Sequence, residues 1–310
     1  MKNTSTNYES LRIYQWTQRA IRTSTNYELK RIYECVGYKL ILILTACVLM
    51  FSCNGKKGEG KKVTSSLPPK PIEKLYGNWL CGNLLDSIRE HRSMVSIFDP
   101  LTLPYAYEMQ FDESFGDSVF VYNGFEQFFL PVIIKHDSII LDNAIQGNPI
   151  ILFYDSLSST LKIMISRNDN YPIPSVFFKA DEKYIQPNGR FHEAFISAFN
   201  EATVEGSYTL INKDRYAQGA TITFNIDGSL TGYEGGIRYN CCIGGDCLDM
   251  MEHPMNTMSI IVEDKPEEYW GWHLSNDTDT LTLTKLKDAN SDEPGNFIKT
   301  KIVLELVRNK

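Results

Sequence analysis

"TITFNIDGSLTGY", residues 221–233, carries the strongest hairpin signal in the chain. Its Asp227-Gly228 pair separates two runs in which apolar residues recur, a pattern typical of two strands joined by a tight turn. Other short runs of Val, Ile, Phe and Tyr precede and follow it, with turn residues such as Asn123-Gly124 between them. Short strands at this spacing predict an antiparallel sandwich or an up-and-down barrel, and not a parallel sheet.

The two halves of residues 75–308 contain similar short motifs in the same order. "LYGNW" (75–79) and "VEGSY" (204–208) share the pattern apolar-x-Gly-x-aromatic, and "DSLSSTLKI" (155–163) aligns without gaps on "SNDTDTLTL" (275–283). A third match pairs Phe111 and Gly116 with Phe224 and Gly228. Because these matches keep the same order along the chain, they indicate an internal duplication.

Two helical patterns interrupt the strands. Residues 83–92 and 190–200 place apolar side chains near the 3.6-residue period of a helix, and the second pattern is the natural connector between two sheets. We therefore expect a first β module over residues 74–182, a connector with a helix over 183–203 and a second β module over 204–310. A single continuous sandwich is the alternative.

"KLILILTACVLMFSC", residues 39–53, combines one lysine, an apolar run and a final Ser-Cys. The run is shorter than the roughly 20 residues that a membrane-spanning helix needs, and it fits the apolar region of a secretory signal. A small residue followed by cysteine resembles the lipobox of bacterial lipoproteins, in which the cysteine is acylated and becomes the mature N-terminus. We expect this lipid on Cys53; Cys47 has the better lipobox residues but too short an apolar run before it, and is the alternative.

The chain upstream of this signal contains a near-repeat. "TSTNYESLRIY" (4–14) returns as "TSTNYELKRIY" (23–33), and together they make the basic region of the signal unusually long. A GTG codon for Val36 would allow a start that gives a signal of ordinary length. We therefore expect residues 1–35 to be an untranslated or discarded leader and residues 36–52 to be the lipoprotein signal peptide.

Residues 53–73 predict a flexible tether between the lipid and the folded body. Gly, Lys, Ser and Pro dominate this segment and give it little to bury. Acidic residues directly after the lipidated cysteine mark surface export in this class of lipoproteins, and residues 54–57 are Asn, Gly, Lys and Lys. We therefore expect a cell-envelope protein, lipid-anchored in the outer membrane and facing the periplasm.

The chain resembles the lipocalins and, more closely, the two-part lipocalin-like lipoproteins of Bacteroidetes. The resemblance rests on the leader, on "LYGNWL" (75–80) followed by a short helix, and on "FNIDGSLTGYEGGIRY" (224–239). It covers roughly residues 75–308 and implies an all-β fold with short connecting helices, built as two tandem lipocalin-like antiparallel meander barrels. It also implies that Trp79 closes one end of its barrel and is structural.

Four cysteines follow the expected lipid site, and they suggest disulfides. Cys81, Cys241, Cys242 and Cys247 allow three pairings, and disulfides are common in an oxidising compartment. Cys241, Cys242 and Cys247 with His253 are an alternative zinc set, although their spacing is not the paired CxxC of a structural zinc site. We expect at least one disulfide, no metal and no other cofactor.

The strands also offer aromatic residues that could contact a ligand. In "YWGWHL" (269–274), strand alternation places Trp270 and Trp272 on one side and His273 on the other. The two indoles could form a stacking wall for a sugar or apolar ligand, or they could simply fill the core. We count Trp270, Trp272 and Tyr122 as candidate ligand-binding residues.

The chain carries no standard catalytic signature, and we name no catalytic residue. H-E-x-x-H, G-x-S-x-G, the P-loop and G-x-G-x-x-G are missing from the sequence. The net charge of −7 argues against nucleic acid as a partner, because phosphate binding needs a basic surface. We expect a membrane-tethered, non-enzymatic lipoprotein that binds an apolar or glycan-like small ligand in a β-barrel. The alternative is a structural or interaction lipoprotein that binds a cell-envelope protein on the barrel surface.

Overall fold

The computed structural model describes residues 71–98, 103–135, 138–145, 148–165, 175–186, 193–211, 219–244, 255–275, 277–288 and 297–309. All of them belong to one compact unit, Leu67–Lys310. The expected leader, signal peptide, lipid site Cys53 and most of the tether lie outside the described residues. These features, and the expected module boundaries, stay predictions.

The first barrel is a closed meander of eight strands. They are β1 (Gly77–Cys81), β2 (Glu108–Phe111), β3 (Ser118–Tyr122), β4 (Gln127–Lys135), β5 (Ser138–Ile145), β6 (Asn148–Asp155), β7 (Thr160–Ile165) and β8 (Val176–Lys179). Each strand pairs antiparallel with the next, and β8 returns to pair with β1, with Trp79 opposite Lys179. Because this barrel is closed, it exposes no sheet edge.

The second barrel repeats this order. Its strands are β9 (Gly206–Leu210), β10 (Thr221–Phe224), β11 (Leu230–Thr231), β12 (Gly236–Cys241), β13 (Asn256–Val262), β14 (Glu268–Leu274), β15 (Thr280–Asp288) and β16 (Phe297–Arg308). The last strand again returns to the first, with Arg308 opposite Tyr208. The short β11 meets β12 only through a bridge between Ser229 and Arg238, so this barrel is nearly closed. The two barrels confirm the all-β fold predicted from the sequence.

The Asp227-Gly228 hairpin forms as the pattern predicts, with a slightly longer loop. The Asn225 N–H donates to the Ser229 carbonyl at 2.9 Å, and the Gly228 N–H donates to the Asn225 carbonyl at 3.0 Å. Gly228 has a φ of 80°. This is a tight turn followed by one left-handed residue, a common three-residue hairpin loop. The carboxylate of Asp227 accepts from the Ser229 N–H at 2.9 Å and fixes the turn.

The two barrels also begin in the same way. Gly77 and Gly206 have φ angles of 124° and 141°, which residues with a side chain rarely adopt. A Cβ on Gly77 would lie 2.6 Å from the Lys179 Cε, and one on Gly206 would lie 3.4 Å from the Arg308 Cζ. In each barrel, therefore, a basic residue of the last strand crosses over the glycine of the first.

Two ten-residue helices accompany the barrels: α1 (Gly82–His91) and α2 (Glu193–Ala202). Both lie within a few residues of the helical patterns in the sequence. Leu84, Leu85 and Ile88 form the buried face of α1, and α2 buries Phe195 and Phe199 among other residues. Short 3-10 helices span Pro71–Leu75, Glu113–Phe115 and Glu182–Tyr184. Within the described part of the chain, no helix is long and apolar enough to cross a membrane.

Glu108 fixes the connecting helix to the first barrel. Its side chain is fully buried, one carboxylate oxygen accepts from the Phe195 N–H at 2.8 Å, and the other accepts from the Asn78 side-chain amide at 2.5 Å. The Phe195 N–H belongs to the first turn of α2, where N–H groups lack partners within the helix. Burial raises the pKa of Glu108 to about 7, although both hydrogen bonds oppose this rise.

Apolar side chains pack the interiors of both barrels. The largest of them are fully buried aromatic residues, among them Trp79, Phe111 and Phe177 in the first barrel and Tyr208, Phe224, Tyr239 and Trp270 in the second. An eight-stranded barrel either is filled by its own side chains or holds one small ligand. The large buried rings occupy the interiors of both barrels, and the cavity described below lies where the chain after α1 meets the second barrel.

Candidate ligand-binding site

A cavity of about 260 Å³ lies where the chain after α1 meets the second barrel. Its lining residues are Ser93, Val95, Met255, Asn256, Gly271, Trp272, His273, Thr282, Thr284 and Lys299. The first two follow α1, and the others lie on or next to β13, β14, β15 and β16. Both halves of the chain therefore contribute to this one site.

Asn256 joins the two halves at this cavity. Its buried side-chain oxygen accepts from the backbone N–H groups of Met94 at 2.9 Å and Val95 at 3.1 Å. Its amide nitrogen donates to the Ser93 hydroxyl at 3.0 Å. Because the acceptor is buried, these bonds fix the chain after α1 on the first residue of β13.

An ion pair adds to this contact at the surface. The guanidinium of Arg92, the residue that ends α1, lies 2.8 Å from the carboxylate of Asp279 in the turn before β15. The two side chains are 31% and 52% exposed. This pair therefore contributes little beside the buried bonds of Asn256.

The wall of the cavity on the second barrel comes largely from the outer face of the sheet. Trp270, Trp272 and Leu274 are buried along β14, whereas His273 is exposed, so the alternate residues face outward. His273 is opposite Thr282 in the register, and Gly271 is opposite Thr284. The two threonines are half-buried.

Gly271 allows the side chain of Met255 to pack closely against β14. A Cβ at this position would lie 2.4 Å from the Met255 sulfur. Met255 therefore lies directly against β14, and both residues line the cavity. A larger residue at position 271 would push Met255 toward the open space.

The lining carries the formal positive charge of Lys299 and no negative charge. Among the ten lining residues, Lys299 and His273 are the ones that can carry a charge, and neither Asp nor Glu occurs. The whole chain, in contrast, has a net charge of −7. The cavity therefore differs in charge from the protein around it.

The aromatic candidates are distributed differently from the expected stacking wall. Trp272 is among the lining residues, but its indole is buried and its N–H donates to the Thr257 carbonyl at 3.2 Å. Trp270 is buried, and Tyr122 belongs to the first barrel, where its ring packs edge-on against Tyr107 at 6.0 Å. Neither Trp270 nor Tyr122 lines the cavity.

Trp270 belongs instead to a polar cluster within the second barrel. The carboxylate of Glu268 accepts from the Lys285 ammonium at 2.6 Å, from the Tyr233 hydroxyl at 2.6 Å and from the Trp270 N–H at 3.3 Å. Burial favours a higher pKa for Glu268, but these donors outweigh it and hold the pKa below its usual value. Lys285 lies 5.4 Å above the Trp270 ring. With every charge paired, the cluster is a structural element.

Of the four candidate cysteines, two are free thiols and one is in a disulfide. Cys81 and Cys241 are unbonded, and Cys242 is disulfide-bonded. Burial raises the pKa of Cys81 to about 12 and raises that of Cys241 as well, so both thiols are poor nucleophiles. Cys247 and His253 lie outside the described residues. Within the described ranges, no group of three or more His, Cys, Asp or Glu side chains is arranged to hold a metal ion.

Sequence reasoning missed most of this site because its residues are far apart in the chain. Met94 and Asn256, for example, are separated by 162 positions. The alternating threonines of "TLTLT" (280–284) predict one polar face of a strand, but not the segment that covers it. No protein-family model matches the chain, and neither a curated protein nor a solved structure is significantly similar to it.

Proposed function

We propose that this protein is a membrane-tethered, non-enzymatic lipoprotein that binds a small glycan-like ligand in the cavity between its two halves. The observation that carries the proposal is the cavity itself, in which six of the ten lining residues offer polar side chains: Ser93, Asn256, His273, Thr282, Thr284 and Lys299. Its volume of about 260 Å³ lies just below the usual range for ligand pockets, roughly 300–1,000 Å³, and restricts the site to a small ligand. A ligand of one or two sugar rings suits this size.

The polar lining favours the glycan-like ligand over the apolar one. An apolar ligand would cover the half-buried hydroxyls of Thr282 and Thr284 without giving them a partner, and each such group costs about 1–3 kcal/mol. A sugar offers several hydroxyl groups that both donate and accept. The barrel interiors, filled by aromatic side chains, serve in this proposal as a rigid support for the outer site.

The tether and its location remain part of the proposal. The apolar segment of residues 39–53, which ends in Ser52-Cys53, supports a lipid on Cys53, and the basic residues that follow support an outer-membrane anchor facing the periplasm. The two-barrel architecture is in keeping with the proposed kinship to lipocalin-like lipoproteins. Acylation is tested by the intact mass of the native product, with Cys53→Ser and Cys47→Ser as the paired variants.

Ligand binding is tested by filling the cavity. We expect a monosaccharide panel to include binders when measured by calorimetry on the purified protein, and Thr282→Trp to abolish that binding. Thr231→Trp, an exposed position on β11, is the matched control. Binding that survives Thr282→Trp, or a panel without any binder, would contradict the proposed site.

A second function is supported by an apolar surface on the first barrel. Phe129 and Ile133 on β4, and Ile151 and Phe153 on β6, are large side chains that remain exposed. Ile140 lies between the strands as the register partner of both Ile133 and Ile151, so the surface is continuous. Exposed apolar patches of this kind mark contacts with other proteins.

This second function has its own test. A photo-crosslinker at Ile133 should capture one envelope protein in cells, and Ile151→Lys should abolish the capture without affecting ligand binding at the cavity. Leu157→Lys, at an isolated position that is 98% exposed, controls for the added charge. Capture that is equally strong in both variants would exclude the apolar surface as the contact.

A further inference from the structure

We infer that the cavity selects a hydroxyl-bearing anion, such as a sugar acid with one carboxylate; the inference rests on the ligand site proposed above. A neutral sugar and a sugar acid differ by one negative charge. The side chains of the lining decide between them in three ways: the sign of their charges, the partners those charges already have, and the hydroxyl groups beside them.

The charges of the lining favour an anion. Lys299 and His273 contribute the ionisable groups, and the lining includes no carboxylate. Glu305 is opposite Thr282 on the neighbouring strand but does not line the cavity. An anionic ligand therefore meets an ammonium group and an imidazole at the site, without a lining carboxylate to repel it.

Lys299 makes no ion pair with any described residue, whereas Lys285 on the neighbouring strand is bound to Glu268 at 2.6 Å. A lysine already bound to a carboxylate would have to give up that partner to bind a ligand. Lys299 has no such partner among the described residues and contacts the cavity. Its hydrogen bond to a ligand carboxylate would be charge-assisted, and such bonds are roughly twice as strong as neutral ones.

The hydroxyl groups of the lining explain why the anion should also carry hydroxyls. Thr282 and Thr284 line the cavity, and neither hydroxyl forms a hydrogen bond to another described residue. Each can donate one hydrogen bond and accept others. Asn256 has one amide hydrogen beyond the one given to Ser93. A ring-sized anion without hydroxyls, such as cyclohexanecarboxylate, would bind the lysine through its carboxylate and offer the hydroxyls of Thr282 and Thr284 no further partner.

The test compares probes that differ by one feature. Calorimetry at low ionic strength on the purified, full-length protein would use D-glucuronate, D-glucose and cyclohexanecarboxylate, which keeps the ring and the carboxylate but has no hydroxyl group. We expect glucuronate to bind at least tenfold more tightly than glucose, and cyclohexanecarboxylate to bind more weakly than glucuronate. Raising the salt concentration should weaken glucuronate binding and leave glucose binding unchanged.

Single-residue variants test whether Lys299 causes the preference for an anion. Lys299→Gln should lower the affinity for glucuronate about tenfold and leave that for glucose unchanged. Lys301→Gln is the matched control, since Lys301 is exposed on the same strand and does not line the cavity. Thr284→Val should weaken both sugars alike, because it removes a hydroxyl and not a charge.

The outcomes distinguish failure of the anion preference from failure of the proposed sugar site. Equal affinities for glucose and glucuronate, both lost in Thr282→Trp, would overturn the anion preference and leave the sugar site standing. Cyclohexanecarboxylate binding as tightly as glucuronate would overturn the requirement for hydroxyls. If neither sugar binds, the anion preference and the proposed site are both overturned. A glucuronate affinity that changes equally in Lys299→Gln and Lys301→Gln would overturn the role of Lys299.

Discussion

The first strands of the two barrels begin with the same backbone contact but with different side chains. In the first, the Trp79 N–H donates to the carbonyl of Leu75 at 2.6 Å. In the second, the Tyr208 hydroxyl donates to the carbonyl of Val204 at 3.1 Å. Both aromatic residues thus bind the carbonyl four positions earlier, and both follow a glycine with a positive φ.

The two barrels differ in the contacts that these aromatic side chains make with the last strand. Trp79 is buried, and its register partner on the last strand, Lys179, is exposed. Tyr208 instead accepts from the guanidinium of Arg308 at 2.8 Å, and the same guanidinium donates to the Thr203 carbonyl at 3.3 Å. The first barrel therefore begins with a large apolar surface, and the second begins with a hydrogen-bonded cation.

A second pair of corresponding turns, one in each barrel, has the same backbone geometry. The turn between β6 and β7 has Ser159 with a φ of 52°, and the turn between β14 and β15 has Asp279 with a φ of 49°. These residues occupy the same place in the ungapped match of 155–163 with 275–283. The two turns therefore share their backbone geometry although their side chains differ.

The largest effect should come from the apolar start of the first barrel. Trp79→Ala removes a buried indole and its hydrogen bond, and we expect a loss of about 4 kcal/mol in the free energy of unfolding, as is usual for buried Trp or Phe. Urea denaturation measures it. Tyr269→Ala, at an exposed aromatic position of the second barrel whose ring packs on Phe297, should cost no more than about 1.5 kcal/mol. A small loss for Trp79→Ala would contradict the view that apolar burial dominates this start.

The next largest effect is a pH dependence of the free energy of unfolding, caused by Glu108 in the first barrel. Glu108 has a pKa raised from 4.5 to about 7 in the folded protein, because the carboxylate is buried. The folded state therefore binds a proton more tightly than the unfolded chain. Its contribution to stability is full below pH 4.5 and is lost as the pH rises to about 7. From the pKa change we expect this loss to be on the order of 3 kcal/mol.

A conservative variant isolates this contribution. Glu108→Gln should remove the slope between pH 4.5 and 7 when the free energy of unfolding is measured by urea denaturation at several pH values. Glu90→Gln, on the exposed face of α1, controls for the loss of one formal charge. If the slope is the same in Glu108→Gln and in the wild type, Glu108 is not its source.

A smaller effect is expected where the halves meet. Asn256→Ala leaves the N–H groups of Met94 and Val95 without their acceptor, and we expect a loss of about 2 kcal/mol. Faster hydrogen exchange at these two amides would show that the segment after α1 has been released. Asn240→Ala, at an exposed position on β12, is the matched control. Unchanged exchange at Met94 and Val95 would exclude Asn256 as the group that holds the segment.

The start of the second barrel should respond more weakly than that of the first. Tyr208→Phe keeps the buried ring and removes the hydroxyl that bonds Val204 and Arg308, so we expect a loss of about 1 kcal/mol. The cation stays over the ring, 5.3 Å from its centre. Thermal unfolding measures the change. A loss as large as that of Trp79→Ala would mean that the polar start is the stronger of the two.

Local sequence patterns predicted the fold, whereas the cavity depends on contacts between segments that are distant in the chain. Short alternating strands and the Asp227-Gly228 turn are local signals, and two helical patterns located α1 and α2 to within a few residues. Strand alternation also placed Trp270 and Trp272 together on one side, and that side is the buried one. The cavity depends instead on Ser93 and Asn256 meeting across the fold. No local pattern encodes that contact, and the predicted ligand contacts at Trp270 and Tyr122 do not lie at the cavity.

The smallest expected effect concerns the exposed ion pair between the halves. Arg92 and Asp279 are partly exposed, so solvent and salt screen their attraction, and we expect a coupling of at most about 0.5 kcal/mol. A double-mutant cycle of Arg92→Ala with Asp279→Asn measures it, and asparagine suits position 279 because it tolerates the positive φ found there. The coupling should fall further in 0.5 M salt. If the coupling instead exceeds the loss caused by Asn256→Ala, the halves are held together by surface charge, and the buried amide is not the main contact between the barrels.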